Sequence, residues 1–439
     1  MKIAWLVAAV AVTPAWADGP LALSLKRAVE IATSAEGSAK VQLSAEALRQ
    51  AQGRVAESRA ALLPNVDAAV SDQSITRNLA AMGISVAVPI PGFQFPTFVG
   101  PFTTMDARVS GSQSVFDFSS IRRFQASKAG VSAAKSDVES TQEQVAAQVA
   151  RAYLAAVRAD ADVETAQANV TLSQAVLAQA ENQKRAGTGT GIEVTRAKVQ
   201  LANDQQRLLV AGNARRGAHL QLLRAMGLRL DTEVELTDKL RFEPLDAVTL
   251  EQARALAFEA RPDLKAQQNR EANARLSASA ARMERLPSIA AFGDYGSIGT
   301  GLDNALPTRT YGISVRVPLF DGGRRDARRA ESASQYRAEK VRTSDLKEQI
   351  ELDVRLALDA LQSAADQVRV AKEGLDLAEN ELTQARRRYE AGVANSLEVT
   401  DAQTRLERAR DNQTTALFGY NVAHLDLAQA MGKVRSMVQ

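Results

Sequence analysis

The chain has 439 residues, 54 of them basic and 51 acidic, with two histidines and no cysteine. Without cysteine there are no disulfides, thiolate metal sites, cysteine nucleophile or lipidated N-terminal cysteine, and a net charge of only +3 gives no ground for a nucleic-acid partner despite a pI near 9.1. Aromatics make up 5% and alanine is abundant, which suits long helices in close approach better than a thick globular core.

Residues 1–17 carry Lys2, an apolar run over 3–12 and an Ala15-Trp16-Ala17 ending. A basic residue, a short apolar core and an A-x-A end predict a cleavable secretory signal, with the mature chain beginning near Asp18. No later apolar run reaches the ~18 residues that a spanning helix needs, so any membrane-spanning part would be built from strands.

Residues 23–61 read as helix, with Ser24 as N-cap and Leu25, Ala28, Val29 and Ala32 on one face. A second segment over 249–284 has the same character, with a kink or break at Arg261-Pro262-Asp263. Both stop at a Leu-Pro, Leu63-Pro64 and Leu286-Pro287, where the pattern changes to period two. Tyr311, Ile313, Val315, Val317 and Leu319 alternate with polar positions, as do Met105, Ala107 and Val109. One apolar and one polar face fit a membrane barrel strand and equally a half-buried strand of a soluble sandwich. Four strands cannot close a lipid-spanning barrel, so the membrane reading requires several chains. Residues 80–101, present in the first strand pair only, read as a proline-rich surface loop.

Two proline-free stretches, 119–185 and 324–390, each predict a helix of about 67 residues, roughly 100 Å long. Val145, Val149, Ala152, Ala156, Ala159, Val163, Ala166 and Val170 recur at alternating spacings of four and three, a coiled-coil seam with small knobs. Val354, Leu358, Leu361, Ala365 and Val368 begin the same seam in the second helix, which runs on to Leu382, Ala385 and Tyr389. Each helix ends at a glycine turn, at Gly187 and Gly392, and returns as a shorter helix.

These two turns organise the chain. RAGTGTGIEVTRAKVQL, from Arg185, aligns without a gap on RYEAGVANSLEVTDAQTRL, so that Glu193-Val194-Thr195 falls on Glu398-Val399-Thr400 and His219 on His424. A duplication this regular is one supersecondary unit used twice. The expected organisation is a signal at 1–17, a first helix-strand-strand-helix-helix repeat at 18–228, a connector at 229–248 and a second repeat at 249–439. The fold class is mainly α with membrane β.

That order of elements, with R-Y-x-x-G-x-x-x-S-L-E-V-x-D-A and the helix openings LSLKRAVEIA and VTLEQARALA, resembles the TolC-like outer membrane efflux protein family over essentially the whole mature chain. The resemblance implies a homotrimer whose protomers each give four strands to one twelve-stranded outer-membrane β-barrel, continued by a long α-helical coiled-coil barrel in the periplasm. It implies a periplasmic adaptor (membrane fusion) protein and an inner-membrane pump as partners, outer membrane lipid around the strands, and no cofactor. By motif, Glu398, Asp401, Glu193 and Tyr389 take periplasmic gate positions, while Gly187, Thr188, Gly392 and Val393 take the adaptor-docking tip. Ala394 stands where a basic gate residue is expected, and Lys184 is the counterpart of Tyr389, so the polar latches of the gate differ from the family pattern.

Physics gives the gate a reason of its own. Glu398 and Asp401 are three residues apart and share a helix face; threefold symmetry would bring six carboxylates to one constriction, which would select cations. Without the resemblance they read as first-turn acids that favour a helix N-terminus. His219 and His424 have no His-x-x-x-His or Glu-x-x-His partner and read as packing residues rather than metal ligands. The glycine words at 187–191 and 322–323 lack the Gly-Lys-Ser/Thr ending of a phosphate loop and read as turns. No nucleophile arrangement indicates an enzyme. Two functions remain open: an outer-membrane exit duct for an export system, or a soluble periplasmic coiled-coil adaptor or scaffold.

Overall fold

A computed structural model describes residues 21–84, 97–244, 248–301, 303–394 and 396–438; the expected signal at 1–17 lies outside them. The elements in order are β1 (Leu21–Leu23), α1 (Leu25–Thr33), α2 (Ala39–Ala60), β2 (Asn65–Asn78), β3 (Phe98–Phe116), α3 (Phe118–Arg185) and α4 (Gly191–Met226). They continue with β4 (Val234–Leu236), α5 (Leu250–Ala260), α6 (Pro262–Met283), β5 (Ser288–Gly299), β6 (Leu306–Arg316), α7 (Arg324–Glu390), α8 (Ser396–Ala430) and α9 (Val434–Val438). The chain divides into two compact units, one of Ala45–Val138 with Pro262–Lys347 and one of the remainder.

The first of these units centres on an antiparallel sheet in the order β2-β3-β5-β6. Each Leu-Pro ends a helix and starts a strand, because proline disfavours helical geometry in the residue before it. Register puts Val66, Val70, Val109, Tyr295, Tyr311, Ile313 and Val315 on one face, almost all of it exposed. The opposite face carries Ser71, Gln73, Asp106, Ser110, Thr308 and Thr310. There Arg108 bridges the two strand pairs, donating Nη2 to Asp106 at 3.0 Å and Nη1 to Asp294 at 2.5 Å. At mid-strand the arginine alone would cost about 2–4 kcal/mol against lipid, so this face is the one a membrane-embedded sheet would turn inward. Among the described residues β2 and β6 are edge strands with no partner on their outer sides.

Two boundaries move from the expectation. Residues 98–101, expected in the loop, are strand: Phe98 pairs with Asn78 and Val99 with Arg77, and Gly100-Pro101 is taken up at the register shift between Ile75 and Arg77. The rest of that loop, 85–96, lies outside the described residues. At the other end β6 stops at Arg316 although the alternation continues to Leu319, because Pro318 has no N–H for a ladder.

In the second unit, Ala28, Val29 and Ala32 of α1 pack with Val145–Val157 of α3, Leu222 and Met226 of α4, Leu425 and Ala428 of α8, and Val434. The middle of α3 is buried well beyond its predicted seam: Ala146, Ala147, Ala150, Tyr153 and Leu154 are covered as well, whereas Val163 and Ala166 stay half-exposed. The cause is a layer without a clear sequence pattern. β1 pairs in parallel with β4, which lies in the 229–248 stretch, and Tyr153 donates to the Leu23 carbonyl at 2.8 Å and to Asp238 at 2.9 Å. Ser24 caps α1 as expected, accepting from the Arg27 amide. The single helix expected over 23–61 is instead α1 and α2, broken at 34–38. Gly37 sits so close to the Ile31 and Ala32 carbonyls that a Cβ there would fall 2.5 Å from each oxygen.

Candidate functional site

Both long helices close on a glycine in the left-handed region, Gly187 at φ 75° and Gly392 at φ 72°. Thr188 and Gly189 return their amides to the Gln183 carbonyl, and Val393 returns its amide to Arg388. Beneath the turns the four helix ends pack into one apolar cluster of Val176, Ala180, Val194 and Ala197 against Leu382, Ala385, Tyr389, Val399, Ala402 and Leu406. Leu382, Ala385 and Tyr389 of the predicted seam thus join residues of the other three helices in holding the hairpins together just behind their tips.

A cavity of about 680 Å³ opens between the turns, lined among others by Gln183, Thr188, Glu193, Tyr389, Gly392 and Glu398. Val393 lines it too and is exposed. Gly187 and Asp401 are not part of its wall; Asp401 is exposed on the next turn of α8. Of the four residues assigned to a gate by motif, Glu193, Tyr389 and Glu398 line this cavity and Asp401 does not.

Each of the three does something different. Glu193 accepts from the Thr190 amide at 2.7 Å and from its hydroxyl at 3.0 Å, so its carboxylate caps α4. Glu398 pairs with Arg388 Nε at 3.3 Å, across the turn. Tyr389 is buried but its hydroxyl has no hydrogen-bond partner among the described residues. Burial first, and the Glu193 charge second, push its pKa above the ordinary tyrosine value.

Farther from the turns lies a polar cluster that the sequence reading did not pick out. Asp204 of α4, 1% exposed, accepts from Ser173 of α3, from Gln200 at 3.2 Å and from Arg207 at 3.5 Å. Arg207 and Gln200 both reach across to Glu407 of α8. Burial raises the Glu407 pKa, Arg207 opposes that, and the Asp204 charge adds to it. A signal existed: Val194, Ala197, Leu201 and Asp204 form a core-facing stripe, and an acid in such a stripe requires partners.

His219 differs from the expectation of a plain packing residue. His219 Nε2 lies 2.9 Å from Asp160, to which Arg215 donates at 2.7 Å. Burial alone would raise the Asp160 pKa, but His219 and Arg215 together hold it below the usual range. His424 lines a mostly apolar cavity with Asp359 and Lys433 in its wall; burial lowers its pKa and the Glu243 charge opposes that. Among the described residues no group of three or more acids and histidines is placed to hold a metal, and no helix is long and apolar enough to cross a membrane.

A family model described as "Outer membrane efflux protein" matches residues 31–228 and 253–433. The chain belongs to this family. It is 26% identical over 416 residues to the pyoverdine export outer membrane protein OpmQ of Pseudomonas putida, covering 93% of this chain and 85% of that one. It is 24% identical over 323 residues to the alkaline protease secretion protein AprF of Pseudomonas aeruginosa, covering 72% and 67%. The fold matches the crystal structure of the Campylobacter jejuni CmeC outer membrane channel with a TM-score of 0.78 at 16% identity, covering 93% and 85%. For VceC of Vibrio cholerae the TM-score is 0.76 at 19% identity, covering 93% and 96%. In this fold the glycine turns occupy the ends of the helical hairpins.

Proposed function

We propose that this chain is the outer-membrane exit duct of a tripartite export system, conducting passively what an inner-membrane pump and a periplasmic adaptor deliver. The observation that carries the reading is the sheet. Its one face is mainly apolar and exposed, with Asp72 and Arg309 towards the loop end, its other face is mainly polar, and among the described residues its two edges are open. An open edge is satisfied by a strand from another copy, and three copies of four strands give the twelve-stranded barrel that the family resemblance implies. A soluble adaptor or scaffold would have no use for the exposed Tyr311, Ile313 and Val315. One relative is named for pyoverdine export and another for alkaline protease secretion; the outer-membrane path is the shared part, and it is the part carried over here.

The hairpin ends are the periplasmic gate and docking tip in this reading. Gly187, Thr188, Gly392 and Val393 present turn backbone and an exposed valine to the adaptor. Glu398, Asp401, Glu193 and Tyr389 surround the entrance. The two acids of α8 are unequal, since Arg388 offsets Glu398 whereas Asp401 faces solvent. Single-channel recording in planar bilayers tests this. Wild type should open as a small cation-selective conductance, and Glu398→Ala/Asp401→Ala should move the reversal potential under a salt gradient towards zero. Asp401→Ala alone should account for more of that shift than Glu398→Ala. Unchanged selectivity in the double variant would discard the gate and keep the duct; a protein that stays in solution without detergent and never inserts would discard the duct.

A further inference from the structure

The junctions between sheet and helices carry a pattern that the exit-duct reading does not use. Each of the four has exposed apolar side chains: Leu63 between α2 and β2, Phe116 and Phe118 between β3 and α3, Leu286 between α6 and β5, and Leu319 and Phe320 between β6 and α7. The last two are 92% and 89% exposed, and the Phe116 and Phe118 rings meet edge-on at 4.4 Å. About one helical turn beyond this apolar level the side chains become basic.

Some of these arginines are engaged. Arg123 and Arg328 share Glu284, Arg285 pairs with Asp326, and Arg325 with Asp321. Arg59, Arg282 and Arg329 are exposed and have no carboxylate partner among the described residues. Arg59 and Arg282 each precede their junction leucine by four residues, at Leu63 and Leu286, so both stand roughly 6 Å farther along their helices. Arg329, nine residues beyond Phe320, takes its level from its neighbour Arg328, which bonds Glu284 two residues after Arg282. Free guanidinium groups just past an apolar and aromatic ring stand where a bilayer places its phosphates.

We propose that Arg59, Arg282 and Arg329 form a headgroup belt that binds the phosphodiesters of anionic phospholipid in the leaflet at the helical end of the sheet. The proposal rests on the reading of the sheet as membrane-spanning. Planar guanidinium groups match phosphate oxygens in pairs, and an uncompensated positive charge favours phosphatidylglycerol over phosphatidylcholine. The paired arginines and Glu284 hold neighbouring helices in place around the free ones.

The test uses the full chain reconstituted in phosphatidylcholine vesicles with a trace of spin-labelled phosphatidylglycerol or spin-labelled phosphatidylcholine. Electron spin resonance reads the motionally restricted fraction of each. Wild type should restrict phosphatidylglycerol over phosphatidylcholine roughly three- to tenfold at low salt, and less at high salt. Arg59→Gln/Arg282→Gln/Arg329→Gln should bring that ratio near one while the restricted phosphatidylcholine stays constant, because the apolar ring is intact. A wild type without preference, or a triple variant that keeps it, would overturn the belt alone. Failure of wild type to enter vesicles would overturn the belt together with the membrane reading.

Discussion

The two helical hairpins, α3–α4 and α7–α8, are one backbone device used twice, yet they hold their polar groups differently. Asp160, Ser173, Asp204 and Arg215 of the first hairpin fall on Ala365, Ala378, Ala409 and Tyr420 of the second. The first hairpin holds hydrogen-bonded charge in these layers: half-buried Asp160 with His219 and the exposed Arg215, and buried Asp204 with Ser173, Gln200 and Arg207. The second has alanines and a tyrosine at those four positions, the Tyr420 ring tilted at 56° to Phe242 with centroids 4.7 Å apart, although its Glu407 brings one buried carboxylate to the Asp204 layer. At the ends the contrast reverses in size rather than polarity, since exposed Lys184 is the counterpart of buried Tyr389. Helix spacing is therefore compatible with either solution, provided that every buried charge brings its partners.

The largest break in this pairing is expected at Tyr389. Its ring is a main component of the cluster behind the tips, so Tyr389→Ala should cost about 3–4 kcal/mol. Lys184→Ala, at the equivalent position, should stay within about 0.5 kcal/mol. Tyr389→Phe should also be close to neutral, because the hydroxyl it removes has no partner. Denaturant midpoints of the detergent-purified protein read all three. A Tyr389→Phe protein as unstable as Tyr389→Ala would mean that the hydroxyl is bonded after all.

Asp204 comes next. Asp204→Ala strands Ser173 and leaves Gln200 and Arg207 with Glu407 alone, at a cost of roughly 2–3 kcal/mol. Adding Ser173→Ala copies the alanine pair of the second hairpin, and the double variant should recover part of that loss. A double variant less stable than Asp204→Ala would show that the two hairpins do not share packing geometry in this layer.

How far all this was readable before folding depends on the range of the interaction. The long helices, the glycine turns and the alternation of the strands depend on neighbours a few residues away, so periodicity reported them. The β1–β4 pair did not show, since three residues carry no period and the partners are more than two hundred positions apart. The 34–38 break is local, set by the close approach of Gly37 to the Ile31 and Ala32 carbonyls, but the apolar period runs through it without a mark. At the tip, spacing put Glu398 and Asp401 on one helix face. It could not show that Arg388 folds back on the first and leaves the second to solvent. The Asp204 cluster was half-legible, as an acid in an apolar stripe, but its bond to Glu407 needs the packing of α4 on α8.

The smallest effect should come from the histidines, and it separates the hairpins by pH. His424 shares its cavity with Ala365, and Glu243, Asp359 and Lys433 are the charged residues nearby. Burial lowers its pKa, with Glu243 opposing, so the folded chain binds a proton there less readily than the unfolded chain does. That contribution to stability is complete above the ordinary histidine value and is lost as pH falls below it. In the first hairpin Asp160, held below the usual carboxylate range, remains charged beside His219 throughout the same interval. Between about pH 7 and about pH 5, wild type should therefore lose stability that His424→Gln does not lose. Ala365→Asp, which gives His424 the acid its twin already has, should flatten the dependence by favouring the protonated ring. Thermal midpoints measured across this interval decide between the two environments. If Ala365→Asp steepens the loss instead, desolvation of the new carboxylate outweighs its attraction for the ring, and the apolar layer of the second hairpin cannot accept the first hairpin's solution.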